Sequence, residues 1–543
     1  MSARREGNFP IMTAKKRSHR EPQHAQAVRK GTLVELTITS MAPGGEAFGK
    51  ADQLPVFISR GAPGDLAEVE LYDVRKKFAK GKIERLIKPS ADRVEPPCKL
   101  FKVCGGCQWQ HISYEKQAEH KTSIVKQAIS HIGGLDESIV QPCIGAEEPL
   151  YYRNKVQFPV RNPKGSNRIL AGYFKQDSHE LVNIKHCPVQ SKELDFMLET
   201  VKDVLEEYDI TAYDERTRKG LLRHIHARQS RADGNILLTL VLNCSEDTEP
   251  ETLGELADLI MVRDEKIVGV AANYNDRPGN RILGDKTRVI AGNAFIDEVL
   301  KTTNEKLPNK LQSGLTFRLS ATSFFQVNTE QAAKLLEIVY LEAYGQNSGG
   351  QKLSTVIDAY AGVGAFSLWL SGGCDRLIAI EEYPQAVLDG RLNAENNGIT
   401  NVEFVEGDVA GVLPQYSAIS EKIELIVLDP PRKGLSPDTV TALLALAPER
   451  IIYVSCNPST LARDLKYLAQ GSVPASVSNN ESGEDGTDAE DTGLEPASAG
   501  RGESKTGKFG YKTVRIQPID LFPQTYHVES VATLERVLLD GSL

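Results

Sequence analysis

The chain has 543 residues and a formal net charge of -9, room for about three or four domains at ~150 residues each. Hydrophobic residues are 40% and charged residues 25% of it, ordinary for a globular protein, and no apolar run reaches the ~18 residues of a membrane span. Eight cysteines are too few for a disulfide scaffold of this length, and an acidic balance excludes a protein that binds nucleic acid through a global positive field.

Residues 1–30 form a polar, basic tail. Arg4, Arg5, Lys15, Lys16, Arg17, Arg20, Arg29 and Lys30 face only Glu6 and Glu21. The tail lacks the apolar centre of a secretory signal, so the expected location is cytoplasmic, with no membrane contact. From Gly31 the pattern alternates as a strand does, and short strands recur between turns such as Ala42-Pro43-Gly44-Gly45 and Ala62-Pro63-Gly64-Asp65. This predicts a small β-barrel over 31–93. Its last part carries Arg75, Lys76, Lys77, Lys80, Lys82, Arg85 and Lys88 against Glu84. Two readings are open there, a solvated charged face or a stripe that tracks phosphates. Residues 94–315 mix strands and helices as a central α/β domain. Residues 316–543 alternate strands with helices, as parallel α/β folds do. Within them, 471–504 is rich in Ser, Gly, Asp and Glu with few large apolar residues, which predicts a disordered acidic insertion.

Cys98, Cys104 and Cys107 are spaced Cys-x5-Cys-x2-Cys, and Cys187 follows before Pro188. In a reducing compartment such clustering means metal or catalysis. Four thiolates suit zinc or an iron–sulfur cluster. Three ligands from one turn and a distant Cys-Pro favour iron–sulfur, because structural zinc more often uses two close pairs. Cys143, Cys244 and Cys374 have no such context and read as packing residues.

Farther on, Val356-Ile357-Asp358-Ala359-Tyr360-Ala361-Gly362-Val363-Gly364 is a strand entering a glycine turn before a helix. Such a turn lets a ligand approach the backbone at a helix start. The next strand ends in Glu381, about 20 residues on, where an acid binds a ribose diol. Asp408 follows a third strand, and Asp429 ends the fourth before Pro430-Pro431-Arg432. Acids at successive strand ends fit an adenosine ligand with a positive centre and fit a pyrophosphate poorly. With the third glycine of a dinucleotide fingerprint also absent, the pattern is that of an S-adenosylmethionine site. A fifth strand, Ile451-Ile452-Tyr453-Val454, leads to Ser455-Cys456-Asn457-Pro458. A thiol at that strand end faces the crevice where α/β folds place their chemistry. Buried inert cysteines are common, so position alone leaves both readings open.

Together with Ser323-Phe324-Phe325-Gln326-Val327-Asn328 and His527-Val528-Glu529-Ser530, these motifs resemble the RNA (uracil-5-)-methyltransferase family, in its members with a TRAM barrel and an iron–sulfur centre. The resemblance spans about 31–470 and 505–543. It implies an OB-like TRAM barrel, a central iron–sulfur domain and a Rossmann-like class I methyltransferase domain. It implies Gln326, Tyr360, Glu381 and Asp429 at the methyl donor, with Asp408 added, Cys456 as nucleophile and Glu529 as base. The implied cofactors are S-adenosylmethionine and a 4Fe–4S cluster on Cys98, Cys104, Cys107 and Cys187. The implied partner is RNA, with 23S ribosomal RNA expected, the transfer-RNA T loop as alternative, and a monomer as the working state.

Two other classes compete. Asp-Pro-Pro also occurs in amino-group methyltransferases, but Arg432 stands where those carry an aromatic residue and they need no cysteine. A non-catalytic iron–sulfur RNA-binding protein would have no need of both Cys456 and Glu529.

Overall fold

The computed structural model describes residues 29–279, 281–345, 352–418, 422–473 and 509–539. The basic tail up to residue 28 and the acidic stretch from residue 474 lie outside the described residues. No helix among the described residues is long and apolar enough to cross a membrane.

Strands Leu33–Met41, Ala47–Ala51, Leu54–Ser59, Leu66–Val74 and Ala79–Lys88 close into a barrel. The period-two alternation turns Leu36, Ile38, Val56, Ile58, Val69 and Leu71 inward. The basic stripe is largely paired: Arg75 with Asp73, Lys80 with Glu46, Lys82 with Glu70 and Glu84, Arg85 with Glu68. Antiparallel pairing sets Glu68 opposite Arg85 and Glu70 opposite Lys82. The acids that neutralise the stripe therefore come largely from the neighbouring strand, which its own segment does not reveal.

The central region is a seven-stranded sheet in the order Lys286–Gly292, Ile267–Tyr274, Ile236–Leu242, Leu222–Gln229, Lys155–Arg161, Leu170–Phe174, Leu181–Asn183. Helices Lys192–Glu207 and Leu253–Arg263 pack in one core with Val156, Phe158, Ile225, Leu238 and Leu240, which share a face of this sheet.

The last region is also seven-stranded. Parallel strands Val402–Glu406, Cys374–Glu381, Leu353–Ala359, Leu425–Leu428 and Arg450–Ser455 lie side by side, followed by the antiparallel pair Glu529–Leu538 and Phe509–Ile519. Chain order reverses at Leu353–Ala359, the place where such sheets open a crevice. The parallel strands are continuous apolar runs because both their faces are covered. Val356, Val427 and Ile452 join one core, and Ile357, Ile426 and Ile451 join the other.

Helix Tyr114–His131, just beyond the first three clustered cysteines, packs onto this last region rather than on the central sheet. Its Val125, Ala128 and Ile129 enter the core shared with Leu461 and Leu465 of helix Pro458–Gln470. Lys121 and Asp520 form a wholly buried ion pair at 2.6 Å. Lys121 Nζ also donates to the Phe522 carbonyl at 3.1 Å, and the Tyr114 hydroxyl donates to Asp520 at 3.0 Å. The chain between the last two strands, residues 520–528, is thus bolted to the helix that follows the cysteine run.

Candidate active site

At the carboxyl end of Leu353–Ala359 the backbone turns through positive φ at Tyr360 (68°), Gly362 (56°) and Gly364 (88°). A side chain at Gly364 would meet Leu368 and Phe404 at 2.8 Å, so that glycine is required by contact as well as by φ. Glu381 ties this turn to the next: its carboxylate accepts from Gly362 N at 2.8 Å and from Tyr383 N at 2.9 Å. Asp408 is exposed and accepts from Gly411 N at 3.2 Å, capping the helix that follows. Asp429 is half-buried, and burial pushes its carboxyl up to about 7. Tyr360, Glu381, Asp408 and Asp429 therefore stand along one edge of the sheet. Gln326 lies on an adjoining loop held by Ser323 Oγ donating to Asp389 at 2.5 Å and by Asn328 Nδ2 donating to the Leu521 carbonyl at 3.3 Å.

Asp358 joins this set. It is fully buried under the glycine turn, accepts from Ser367 Oγ at 2.5 Å through one oxygen, and leaves the other without a partner. Burial raises it to about 7, opposed by the Ser367 bond and reinforced by Asp429. An orphaned buried carboxylate oxygen beside an adenosine-type turn suits a ligand with a cationic centre.

The thiol side is built by strand register. Ser455 pairs with Ser530 across the antiparallel contact of Arg450–Ser455 with Glu529–Leu538. Cys456 follows Ser455 and Glu529 precedes Ser530, so both lie at the end of this pairing, where the Glu529 carboxyl bears on the thiol. Asn457 caps helix Pro458–Gln470 by accepting from Ser459 N at 3.0 Å, so the turn holding Cys456 is also a helix start. Asn457 Nδ2 and Thr460 Oγ1 each donate to the Arg432 carbonyl at 3.3 Å, locking the Asp429–Gly434 loop to that helix.

Glu529 is 4% exposed, and burial pushes its carboxyl up to about 8, with Asp429 adding and Arg432 opposing. Burial raises the Cys456 thiol to about 11, Glu529 adding to the shift and Arg432 countering it. Arg432 is the cation that bears on both. Its guanidinium donates to His527 Nδ1 at 3.1 Å. Burial, then Arg432 itself, drives His527 down to about 4 and keeps the ring neutral as an acceptor. A cavity of about 170 Å³ opens over Cys456, Asn457, Arg432 and His527, and its far wall is Pro43 and Gly44 of the barrel.

Cys98, Cys104, Cys107 and Cys187 line one cavity with Arg153 and Tyr173. Gly106 N donates to Cys104 Sγ at 3.4 Å. A side chain at Gly105 would meet the backbone of Phe174 and Gln176 at about 3.0 Å, so the loop closes only with glycine there. Burial raises Cys107 to about 12 and Cys187 to about 11, and in Cys107 the nearby Cys187, Cys104 and Cys98 add to it. Among the described residues no three His, Cys, Asp or Glu side chains converge on a single ion position. The four thiols share this cavity and Cys187, Cys104 and Cys107 also pack with the central core, so the expected iron–sulfur site is not assembled as a metal-binding group among the described residues.

The two centres are joined. Gln108 N and Trp109 N, immediately after Cys107, donate to the Gln524 carbonyl at 3.2 and 3.0 Å. Gln117 brackets Gln524, donating to its side chain at 3.1 Å and accepting from its amide at 3.0 Å. Trp109 Nε1 reaches back to the Gly45 carbonyl at 3.0 Å. The loop that carries His527 into Glu529 is held by barrel, cysteine loop and helix together. Arg432 and His527 lay inside motifs already singled out, and their residue types were the available signal. Nothing in the sequence marked the contacts of Gln524 or the free oxygen of Asp358.

A glycine turn, acids at successive strand ends and this strand order define a class I methyltransferase. The tRNA (Uracil-5-)-methyltransferase family pattern matches residues 280–411 and 412–474, and the TRAM domain pattern matches 27–83. The chain is 36% identical over 520 residues to an uncharacterized RNA methyltransferase of Gloeobacter violaceus, covering 95% of this chain and 99% of that one. It is 35% identical over 508 residues to an uncharacterized RNA methyltransferase of Halalkalibacterium halodurans, covering 94% and 98%. The chain belongs to the RNA (uracil-5-)-methyltransferase family, S-adenosylmethionine-dependent enzymes that modify RNA, in a form that carries a TRAM domain. Its fold is similar to that of a Pyrococcus abyssi tRNA (uracil-54, C5)-methyltransferase solved with S-adenosyl-L-homocysteine, with a TM-score of 0.62, 22% identity and coverage of 92% of this chain and 100% of that one.

Proposed function

We propose that this protein methylates carbon 5 of a specific uridine in 23S ribosomal RNA, with Cys456 as nucleophile and Glu529 as base. The observation that supports the reading is the electrostatic contact of Cys456 with Glu529 and Arg432 where the Ser455–Ser530 pairing ends, beside an acid-lined turn. The TRAM barrel combined with a four-cysteine site favours ribosomal RNA. The transfer-RNA T loop is the second reading, favoured by the transfer-RNA names of the matching family and of the archaeal fold relative.

Uracil carbon 5 is a weak nucleophile. Addition of Cys456 Sγ to carbon 6 makes carbon 5 enolate-like, and covalent catalysis divides one hard step into easier ones. When bound, S-adenosylmethionine would supply its sulfonium methyl group to that carbon, the sulfur–methyl bond breaking and the thioether S-adenosylhomocysteine leaving. Tyr360, Glu381, Asp408 and Gln326 would hold the donor, and Asp358 and Asp429 would face its charge. Glu529 then takes the carbon 5 proton, the carbon 5–carbon 6 double bond reforms, and Cys456 leaves as thiolate. The Arg432 guanidinium opposes the upward shift of both groups and so favours their ionised, working forms. The target carbon is buried in stacked RNA, so the base must turn out into the cavity over Cys456.

Cys98, Cys104, Cys107 and Cys187 would hold a 4Fe–4S cluster. Its contribution is to fix the loop that bears on Gln524, because the chemistry has no redox step. Replacing Cys456 by alanine should abolish methyl transfer and the covalent adduct with 5-fluorouridine RNA, both read on a denaturing gel. Undiminished transfer by that variant sinks the reading. Mapping 5-methyluridine in RNA from cells lacking the gene separates ribosomal from transfer RNA.

A further inference from the structure

One face of the central sheet is oily and covered by two helices. The register fixes what lies on the other. Lys155 pairs with Arg228, Gln157 with His226, and His226 with Thr239, so Lys155, Gln157, His224, His226, Arg228 and Thr239 form a polar row on that face beside the buried Pro159, Leu237 and Val241. Sequence alone presents these as scattered polar residues within strands.

This face is cationic and nearly uncompensated. The charged groups that bear on His226 are Lys155, Arg228 and His224; those on Lys155 are Arg228 and Arg153; those on His224 are Arg223 and Arg161. Every one is a base. Glu298 is the acid that bears on Arg228. Both ring nitrogens of His226, which is 2% exposed, lack a hydrogen-bond partner, as does Nδ1 of His224. Among the described residues no ion pair to Lys155 is formed. Burial and the neighbouring arginines push its amine down to about 7. Crowding bases without acids is costly, and so is leaving a buried polar group without a partner. The barrel shows the opposite solution, with acids set against its bases.

The face also leads to the candidate active site. Arg228 donates to the Ser323 carbonyl at 3.0 Å and to the Phe325 carbonyl at 3.4 Å, and Asn154 Nδ2 donates to the Gln326 carbonyl at 3.4 Å. Lys155, Gln157 and His224 remain partly exposed, so the row opens to solvent beyond the buried His226 and Arg228.

We infer that the partly exposed members of this row, Lys155, Gln157 and His224, bind the phosphates of the substrate RNA strand as it enters the active site. A single strand is held by a basic groove that follows its backbone, and phosphate supplies the anions that the row lacks. The inference rests on the reading of RNA as substrate and adds where the strand runs. The barrel stripe, in which Arg75, Lys80, Lys82 and Arg85 already have acidic partners, is then secondary in grip.

The test uses the full chain, oligouridylate of about 20 nucleotides, and titrations at several salt concentrations. Lys155→Gln should weaken binding and lower the slope of log affinity against log salt by about 0.7 for the lost phosphate contact, while Lys82→Gln in the barrel leaves both nearly unchanged. Calorimetric binding of S-adenosylhomocysteine reports that the variant is folded. Unchanged RNA affinity and slope in a folded Lys155→Gln protein overturn the inference and leave the substrate reading standing. Absence of RNA binding by the unmodified protein overturns both. Should Lys155→Gln not fold, photo-cross-linking of 4-thiouridine RNA to the unmodified protein decides: adducts within 155–161 or 222–229 support the track, and adducts confined to the barrel overturn it.

Discussion

Cys456 and Glu529 are each held in the protonated form by their surroundings, and that defines what can be measured. Glu529 stands at about 8 because it is buried beside Asp429. A base must be ionised to accept a proton, so decay of the covalent RNA–protein intermediate should accelerate with pH and level off above about 8. Glu529→Gln should still permit methyl transfer but trap RNA on Cys456, slowing release about 10²–10⁴-fold on a denaturing gel. The same shift has a thermodynamic consequence. The folded state binds the Glu529 proton more tightly than the unfolded chain does, so stability is full below about 4.5 and falls as pH rises through about 8. The Tm advantage of Glu529→Gln over the unmodified protein should therefore widen across that interval, as calorimetry would show. The identities of both residues were legible from their motifs. Their electrostatics were not, because Asp429 and Arg432 come from another strand end.

At the scale of elements, the telling unit is the chain from Asp520 to Glu529. Its sequence carries the His527-Val528-Glu529 motif but shows none of the contacts that hold it. In the fold it is gripped by Lys121, Gln117, Trp109 and Tyr152, the last donating to the Pro523 carbonyl at 3.0 Å. Asp520→Asn leaves Lys121 charged and buried without its counterion, which should cost about 3–5 kcal/mol. Thermal melting would register this as a large fall in Tm, and a fall of a degree or less would contradict it. The strand–turn–helix units of the methyltransferase sheet were far more legible. Their apolar runs, glycines and terminal acids recur at the spacing that a parallel sheet imposes. The Cys456 turn is the instructive case: Asn457-Pro458 reads as a strand stop, and it is one because it also starts a helix, with Asn457 as cap and proline in the first turn.

Across the whole molecule, the barrel, helix Tyr114–His131 and the methyltransferase region meet at one cavity, lined by Pro43, Gly44, Ile124, Ala128, Cys456 and His527, and the cysteine loop holds the chain segment that forms part of it. This arrangement gives the cysteine site a mechanical consequence. With the cluster in place the purified protein should be brown with broad visible absorbance; a colourless, zinc-containing protein refutes iron–sulfur. Chelation or Cys104→Ser should raise amide exchange in 520–528, because Gln108 and Trp109 hold the Gln524 carbonyl. Unaltered exchange there would disconnect the two centres.

Local pattern alone was enough for the barrel, the strand–turn–helix units, the acids at their strand ends and the clustering of the cysteines, while the roles given to Cys456 and Glu529 came from the family resemblance. The former follow from alternation, strand-end position and residue type, which are properties of neighbours in sequence. What the tertiary structure alone decided is which charges meet. It neutralised most of the barrel's basic stripe with acids from adjoining strands, assembled an unneutralised row from two strands some seventy residues apart, and brought the Glu529 carboxyl to bear on Cys456 at the end of an antiparallel pairing. Coulomb interactions and burial act between groups close in space, so a chain can display its charges without revealing which of them remain free.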